Sequence, residues 1–224
     1  MKIVLLPGLD GTGNLFNPLL KFIPEENVTV IALPMHGEQT YSALAAYCKG
    51  RMPREPYILV TESFSGPIGL MLAAIDDSFL KKLILVATFA SPPKPFVSKL
   101  CSYLPLKQLI RLPLSGIASR ILFLGFNTPS EIIEGFMSAV ALVPSGIMKK
   151  RLQVASSFRI DIEQINKPVV YIQPTTDFLV PNSCYSVVSQ FCPNITLQKV
   201  KGPHFILQAN PKVCSEIITS GLGI

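Results

Sequence analysis

The stretch Tyr57-Ile58-Leu59-Val60-Thr61-Glu62-Ser63-Phe64-Ser65-Gly66-Pro67-Ile68-Gly69-Leu70-Met71-Leu72-Ala73-Ala74 changes character twice. Tyr57–Val60 is a short apolar run with branched side chains, the pattern of a buried parallel strand. Pro67–Ala74 is apolar densely enough for a buried helix. Thr61–Gly66 must therefore turn the chain sharply from strand to helix, with Ser63 on the turn itself. A serine so placed carries its hydroxyl over the edge of the sheet, where the first N–H groups of the next helix point back at it. An ordinary turn in which Ser63 caps the helix would read the same way. Ser65 is a rival hydroxyl, but it lies further into the turn, and Ser63 is the better candidate nucleophile.

Working outward, the size and composition bound the answer. A chain of 224 residues suits one domain, and 49% apolar against 15% charged residues describes a greasy globular protein. The uncharged stretch from Gly135 to Met148 is interrupted by Pro144 and Gly146 and falls short of the roughly 18 residues of a spanning helix. Met1 leads straight into Ile3–Leu6, an apolar run too short for a signal-peptide core, so a first strand and a cytoplasmic protein are expected. The five cysteines are scattered without a C-x-x-C pair, and there are two histidines, so buried reduced thiols are expected and no metal site.

Strand and helix texture alternates on both sides of the opening stretch. Ile3–Leu6 runs into Pro7-Gly8-Leu9-Asp10-Gly11-Thr12-Gly13. That loop lacks the Gly-Lys-Ser/Thr of a phosphate-binding P-loop and the glycine order of a dinucleotide fingerprint. Leu15–Ile23 reads as a helix, Val28–Leu33 as a strand ending in Pro34-Met35-His36-Gly37, and Ser42–Met52 as a helix. Leu83–Ala87 is a further strand. From 91 to 160 the alternation stops and the texture is helical: Val97–Leu104, Leu106–Leu112, Ile117–Leu124, Ser130–Leu142 and Ile147–Phe158. It resumes with a strand over Pro168–Ile172, then Thr175-Thr176-Asp177-Phe178-Leu179-Val180-Pro181. Asn182–Phe191 reads as a helix and Ile195–Val200 as the last strand. Lys201-Gly202-Pro203-His204-Phe205 and a helix over Pro211–Thr219 close the chain.

In this order the chain resembles the α/β-hydrolase superfamily. The turn departs from the usual G-x-S-x-G elbow, with Thr61 and Ser65 at the glycine positions and Gly66 one place later. Serine, acid and histidine nevertheless follow in the superfamily's order, each just beyond a predicted strand. The resemblance implies a mostly parallel sheet flanked by helices, with residues 1–90 and 161–224 as core and 91–160 as an inserted helical lid. It also implies a triad of Ser63, Asp177 and His204, with the backbone N–H groups of Leu9 and Phe64 as oxyanion donors. Gly8, Asp10 and His36 are expected near the substrate. His36 is the other histidine that could serve as base, but its loop follows the second strand rather than the last. The roles of Asp10 and of Glu62 stay open. No cofactor is implied.

The implied activity is hydrolysis of a carboxylic ester through an acyl-enzyme. Acyl transfer or thioester cleavage by the same triad, or a non-catalytic relative that only binds ligands, are the alternatives. The pattern is similar to small carboxylesterases of the pimeloyl-ACP methyl ester esterase type, which act on acidic carrier proteins. Residues 91–160 carry nine basic and two acidic side chains, a net +7 beside +6 for the whole chain, so the remainder is −1. A basic lid, Lys149-Lys150-Arg151 included, is thus expected to attract an acidic acyl carrier protein, unless it is simply a solvated face. No nucleic-acid module is recognisable.

Overall fold

Residues 1–75, 77–93 and 129–222 are described by a computed structural model of the chain. Six strands form one sheet in the order β2-β1-β3-β4-β5-β6. They are β1 (Lys2–Leu6), β2 (Val28–Val30), β3 (Tyr57–Glu62), β4 (Leu80–Val86), β5 (Val169–Pro174) and β6 (Ile195–Val200). Every ladder is parallel. The order reverses between β1 and β3, which opens a crevice beyond their C-terminal ends, the usual place for a ligand in an open parallel sheet.

Alternation along the strands divides the core in two. Val4, Leu6, Leu59, Leu83, Leu85 and Tyr171 join one cluster, while Ile3, Leu5, Ile58, Val60, Ile84 and Val86 join the other. Successive side chains on a strand point to opposite faces, so both faces must be covered. The helices supply the cover. On the first face lie α2 (Tyr41–Lys49), α3 (Gly66–Ala74) and α6 (Cys184–Val188); on the second lie α1 (Asn17–Leu20), α7 (Ile206–Ala209) and α8 (Pro211–Thr219). A third cluster joins Leu15 to Ile133, Phe136, Val140, Ile147 and Met148 of α4 (Ser130–Leu142) and α5 (Ser145–Ser157). Leu9 and Phe205 pack against its margin, so α4 and α5 adjoin the loops at the C-terminal edge of the sheet.

Several elements differ from expectation in extent. The helix expected over Leu15–Ile23 is a 3-10 turn, Asn14–Phe16, followed by the short α1 with Pro18 in its first turn. Proline lacks the N–H that a continuous helix would need there and starts a new helix instead. The strand expected to reach Leu33 stops at Val30, although Ile31 N–H still donates to Leu5 O and Leu33 N–H donates to Gly11 O. The chain keeps its inward alternation while exchanging β1 for the loop beyond it. β4 begins earlier than expected, at Leu80, and the helix expected over Asn182–Phe191 is confined to Cys184–Val188. Of the proposed lid, the helices expected over Val97–Leu104, Leu106–Leu112 and Ile117–Leu124 lie outside the described residues, whereas Ser130–Leu142 is a helix to the residue. Cys48, Cys192 and Cys214 are buried free thiols, and Cys184 is buried as well. Among the described residues no single helix is long and apolar enough to cross a membrane.

Candidate active site

The turn after β3 is strained at one residue. Ser63 has φ 50°, in the left-handed region, and it begins a 3-10 turn that runs into α3. A non-glycine residue held there costs about 1–3 kcal/mol, which the surroundings must offset. They do so through contacts that also explain the missing glycines. Ser65 Oγ, fully buried, donates to Pro7 O and so ties the turn to the loop after β1. Its hydroxyl is committed to that bond, which leaves Ser63 as the reachable one. Thr88 Oγ1 donates to Ser63 O from the end of β4. A Cβ on Gly66 would lie 1.7 Å from that Oγ1, so glycine is needed at 66 rather than 65. Thr61 faces α3, where a Cβ on Gly69 would meet its Cγ2 at 2.6 Å. The close approach of strand and helix is kept, with the small residue moved from the strand to the helix.

His204 and Asp177 stand on loops that are tied together. Thr176 N–H and Oγ1 both donate to Gly202 O, at 2.9 and 2.7 Å. Gly202 sits at φ 153°, and a Cβ there would meet Ile206 Cδ1 at 2.4 Å. With the loops so joined, His204 Nδ1 lies 2.7 Å from Asp177 Oδ2, and Nε2 lies 2.9 Å from Ser63 Oγ. Asp177 Oδ1 is occupied separately, accepting from the N–H groups of Leu179 and Val180 at 2.8 and 2.9 Å. The acid is thereby held with its other oxygen toward the imidazole. The side chains of His204 and Asp177 are only 3% and 1% exposed. Phe205 packs edge-on to His204 and to Phe136 of α4.

Gly8 lies against the serine, since a Cβ on it would be 3.8 Å from Ser63 Cβ. The loop carrying Leu9 thus borders Ser63 on the β1 side. Phe64 follows Ser63 in the first turn of a helical segment, where N–H groups lack intrahelical partners. Asp10 is buried, and its Oδ2 accepts from Thr12 N–H and Oγ1, so this carboxylate shapes its own loop. His36 lies on an exposed stretch, with its carbonyl accepting from Gln39 Nε2. It is His204, not His36, that meets Ser63.

Two residues have roles here that the sequence left hidden. Glu62 shares the face of Ile58 and Val60 and is 1% exposed. Gln208 Nε2 donates to Leu15 O at 3.1 Å and approaches Glu62 Oε2 at 3.4 Å. Glu62 Oε1 has no hydrogen-bond partner among the described residues. Burial, reinforced by the neighbouring Asp10 carboxylate and opposed by Gln208, pushes the Glu62 carboxyl up to about 8. It therefore does not face solvent.

Arg151 corrects the expectation of a surface charge run. It is 0% exposed, and its guanidinium donates to Leu9 O, Asp10 O, Pro34 O and Gln39 Oε1. Burial lowers it to about 10, with Asp10 opposing the shift, so it stays charged at neutral pH. Its neighbours Lys149 and Lys150 are exposed, as expected of them. The signal was the spacing of Ile147, Arg151 and Ala155, which puts the arginine on the buried stripe of α5 rather than with the two lysines.

No protein-family model matches this sequence, and no curated protein does. Solved structures match along nearly the whole chain. An enol-lactonase from Burkholderia xenovorans is 14% identical with a TM-score of 0.78, over 99% of this chain and 91% of that one. An esterase from Exiguobacterium antarcticum is 13% identical with a TM-score of 0.78, over 98% and 91% respectively. An α/β-hydrolase fold protein from Chitinophaga pinensis is 13% identical with a TM-score of 0.75, over 100% and 89%. At such identities the likeness is one of fold, and it agrees with the parallel sheet and flanking helices: the chain has the α/β-hydrolase fold.

Proposed function

We propose that the protein is a serine hydrolase that cleaves carboxylic esters through an acyl-enzyme. The observation that carries this reading is the continuous array from Asp177 Oδ2 through His204 to Ser63 Oγ, with the serine on a left-handed turn. In the proposed reaction His204 Nε2 takes the proton of Ser63 Oγ as that oxygen attacks the ester carbonyl. Asp177 keeps the tautomer with its proton on Nδ1 and stabilises the imidazolium that forms. The N–H groups of Leu9 and Phe64 hold the negative oxygen of the tetrahedral intermediate. The intermediate collapses, the alcohol leaves with the proton from His204, and water repeats the sequence to free the acid and restore the serine.

The partly buried apolar side chains of Leu9, Met35, Ile132 and Phe205 at this edge favour an apolar acyl group. In this reading residues 91–160 form a helical lid over the site, and Gly8, Asp10 and His36 border the substrate. A carrier-linked ester is the narrower form of the substrate proposal. It rests on the basic balance of residues 91–160, now without Arg151.

A fluorophosphonate should label Ser63, and a panel of p-nitrophenyl esters of graded acyl length should be turned over. Ser63→Ala and His204→Ala should each lower kcat by several orders of magnitude, while His36→Ala should change mainly KM. Label on Ser65, or equal losses from the two histidine variants, would overturn the assignment.

A further inference from the structure

The proposed oxyanion donor on Leu9 belongs to the loop after β1, which has internal hydrogen bonds of its own. Gly8 O accepts from Gly11 N–H at 3.1 Å, which makes Gly8 to Gly11 a single turn. In a trans peptide the N–H points opposite to the carbonyl of the same unit. With Gly8 O turned in toward Gly11, the Leu9 N–H is turned out of the loop. What holds the next two peptide units is Arg151: its Nη1 donates to Leu9 O at 2.9 Å and to Asp10 O at 2.8 Å. The same guanidinium reaches the loop after β2 through Nη2 to Pro34 O at 3.1 Å and Nε to Gln39 Oε1 at 2.9 Å. Gln39 Nε2 in turn donates to Pro34 O and His36 O. The fit is close, because a Cβ on Gly11 would lie 2.3 Å from Nη1.

We infer that Arg151 is the positioning residue of the oxyanion loop, fixing from α5 the two peptide units that follow the one bearing the Leu9 N–H. The inference rests on the serine-hydrolase reading above. A buried guanidinium is a costly way to fill space, since an apolar side chain of the same size often serves stability as well. Its planar fork can donate to several carbonyls at fixed angles, which a lysine or a methionine cannot. A fixed donor matters most when charge develops on the substrate oxygen, so its loss should appear in turnover more than in ground-state binding.

The test compares Arg151→Met, Arg151→Lys and Arg151→Ala with the wild-type chain on one p-nitrophenyl ester. Losing one oxyanion donor outright costs about a hundred- to a thousandfold in kcat, and a mispositioned donor should cost less. The expected result is a fall in kcat of about ten- to a hundredfold with KM changed by less than about threefold. Affinity for an alkyl boronic acid, which needs the same donors, should fall in parallel. Guanidinium ion added to Arg151→Ala should restore part of kcat, and should do nothing for the wild type. Gln39→Leu, which frees the Nε end, should give a smaller loss of the same kind. Folded variants that keep kcat, or lose only KM, would overturn the inference while leaving the hydrolase reading intact. Variants at both positions that fail to fold would also overturn it, by making the cluster a requirement for folding. An inactive wild type that fluorophosphonate does not label would remove the hydrolase reading itself.

Discussion

Glu62 shows how one residue can look like part of the chemistry and serve another end. It precedes the serine, yet strand alternation sends it to the opposite face of the sheet from Thr61, toward Gln208. An exposed glutamate loses its proton near 4.5, whereas Glu62 keeps its proton until about 8, because burial and the Asp10 carboxylate both disfavour the anion. Between those values the folded chain holds a proton that the unfolded chain has released. The contribution of this group to stability is therefore fully present below 4.5 and is lost as the pH rises to about 8. The slope of that loss is about 1.4 kcal/mol per pH unit. Glu62→Gln removes the titration and nearly keeps the shape, so urea unfolding at several pH values from about 5 to 8 should show a flatter slope than the wild type. Equal slopes in the two proteins would mean that Glu62 is not buried as a neutral acid.

At the scale of the element, the turn between β3 and α3 is held by partners from two neighbouring strands. Pro7 O, just after β1, anchors Ser65, and Thr88, after β4, anchors the Ser63 carbonyl. Gly66 is where α3 passes Thr88, and an added Cβ would meet its Oγ1 at 1.7 Å and its own Cβ at 2.6 Å. Gly66→Ala should therefore destabilise the chain by about 1–3 kcal/mol, as overpacking usually does. It should also lower turnover, because the serine carbonyl loses its anchor. Thr88→Ala in the same chain should recover only part of the loss, since the threonine Cβ remains in the way. A double-mutant cycle from denaturant unfolding measures this coupling, and strictly additive effects would contradict a direct contact.

For the whole molecule, the question is where the positive charge acts. Arg151 cannot steer a partner from inside the protein, so among the described residues the exposed bases of the proposed lid are Lys149, Lys150 and Arg159. Surface charges act through long-range attraction, which salt screens with a Debye length of about 8 Å at physiological ionic strength. Changing Lys149 and Lys150 together to glutamate should slow turnover of an acyl ester carried on an acidic protein and leave a small neutral ester almost unaffected. The wild-type advantage on the carrier-linked ester should fade as salt rises, because encounter rate is what such charges improve. Unchanged turnover of both substrates in the variant, with no salt dependence in the wild type, would leave a plain small-ester hydrolase.

Much of this was legible before the fold was known, for a local reason. The continuous apolar runs of β1, β3 and β5, and the prolines and glycines that follow them, depend on neighbours along the chain, so the strands and the loops bearing Ser63, Asp177 and His204 could be placed from sequence. The hydrogen bonds among those three residues span 27 and 141 positions, and only the sheet brings them together. The altered elbow is intelligible only in three dimensions, because Gly69 makes room for Thr61 and Thr88 requires Gly66. Arg151 is the sharpest case. Beside Lys149 and Lys150 it reads as solvated charge, and only the approach of α5 to the loops after β1 and β2 turns it into a buried donor. Whether a charge faces water or backbone carbonyls depends on groups more than a hundred residues away in the chain, as Leu9, Asp10 and Pro34 are from Arg151.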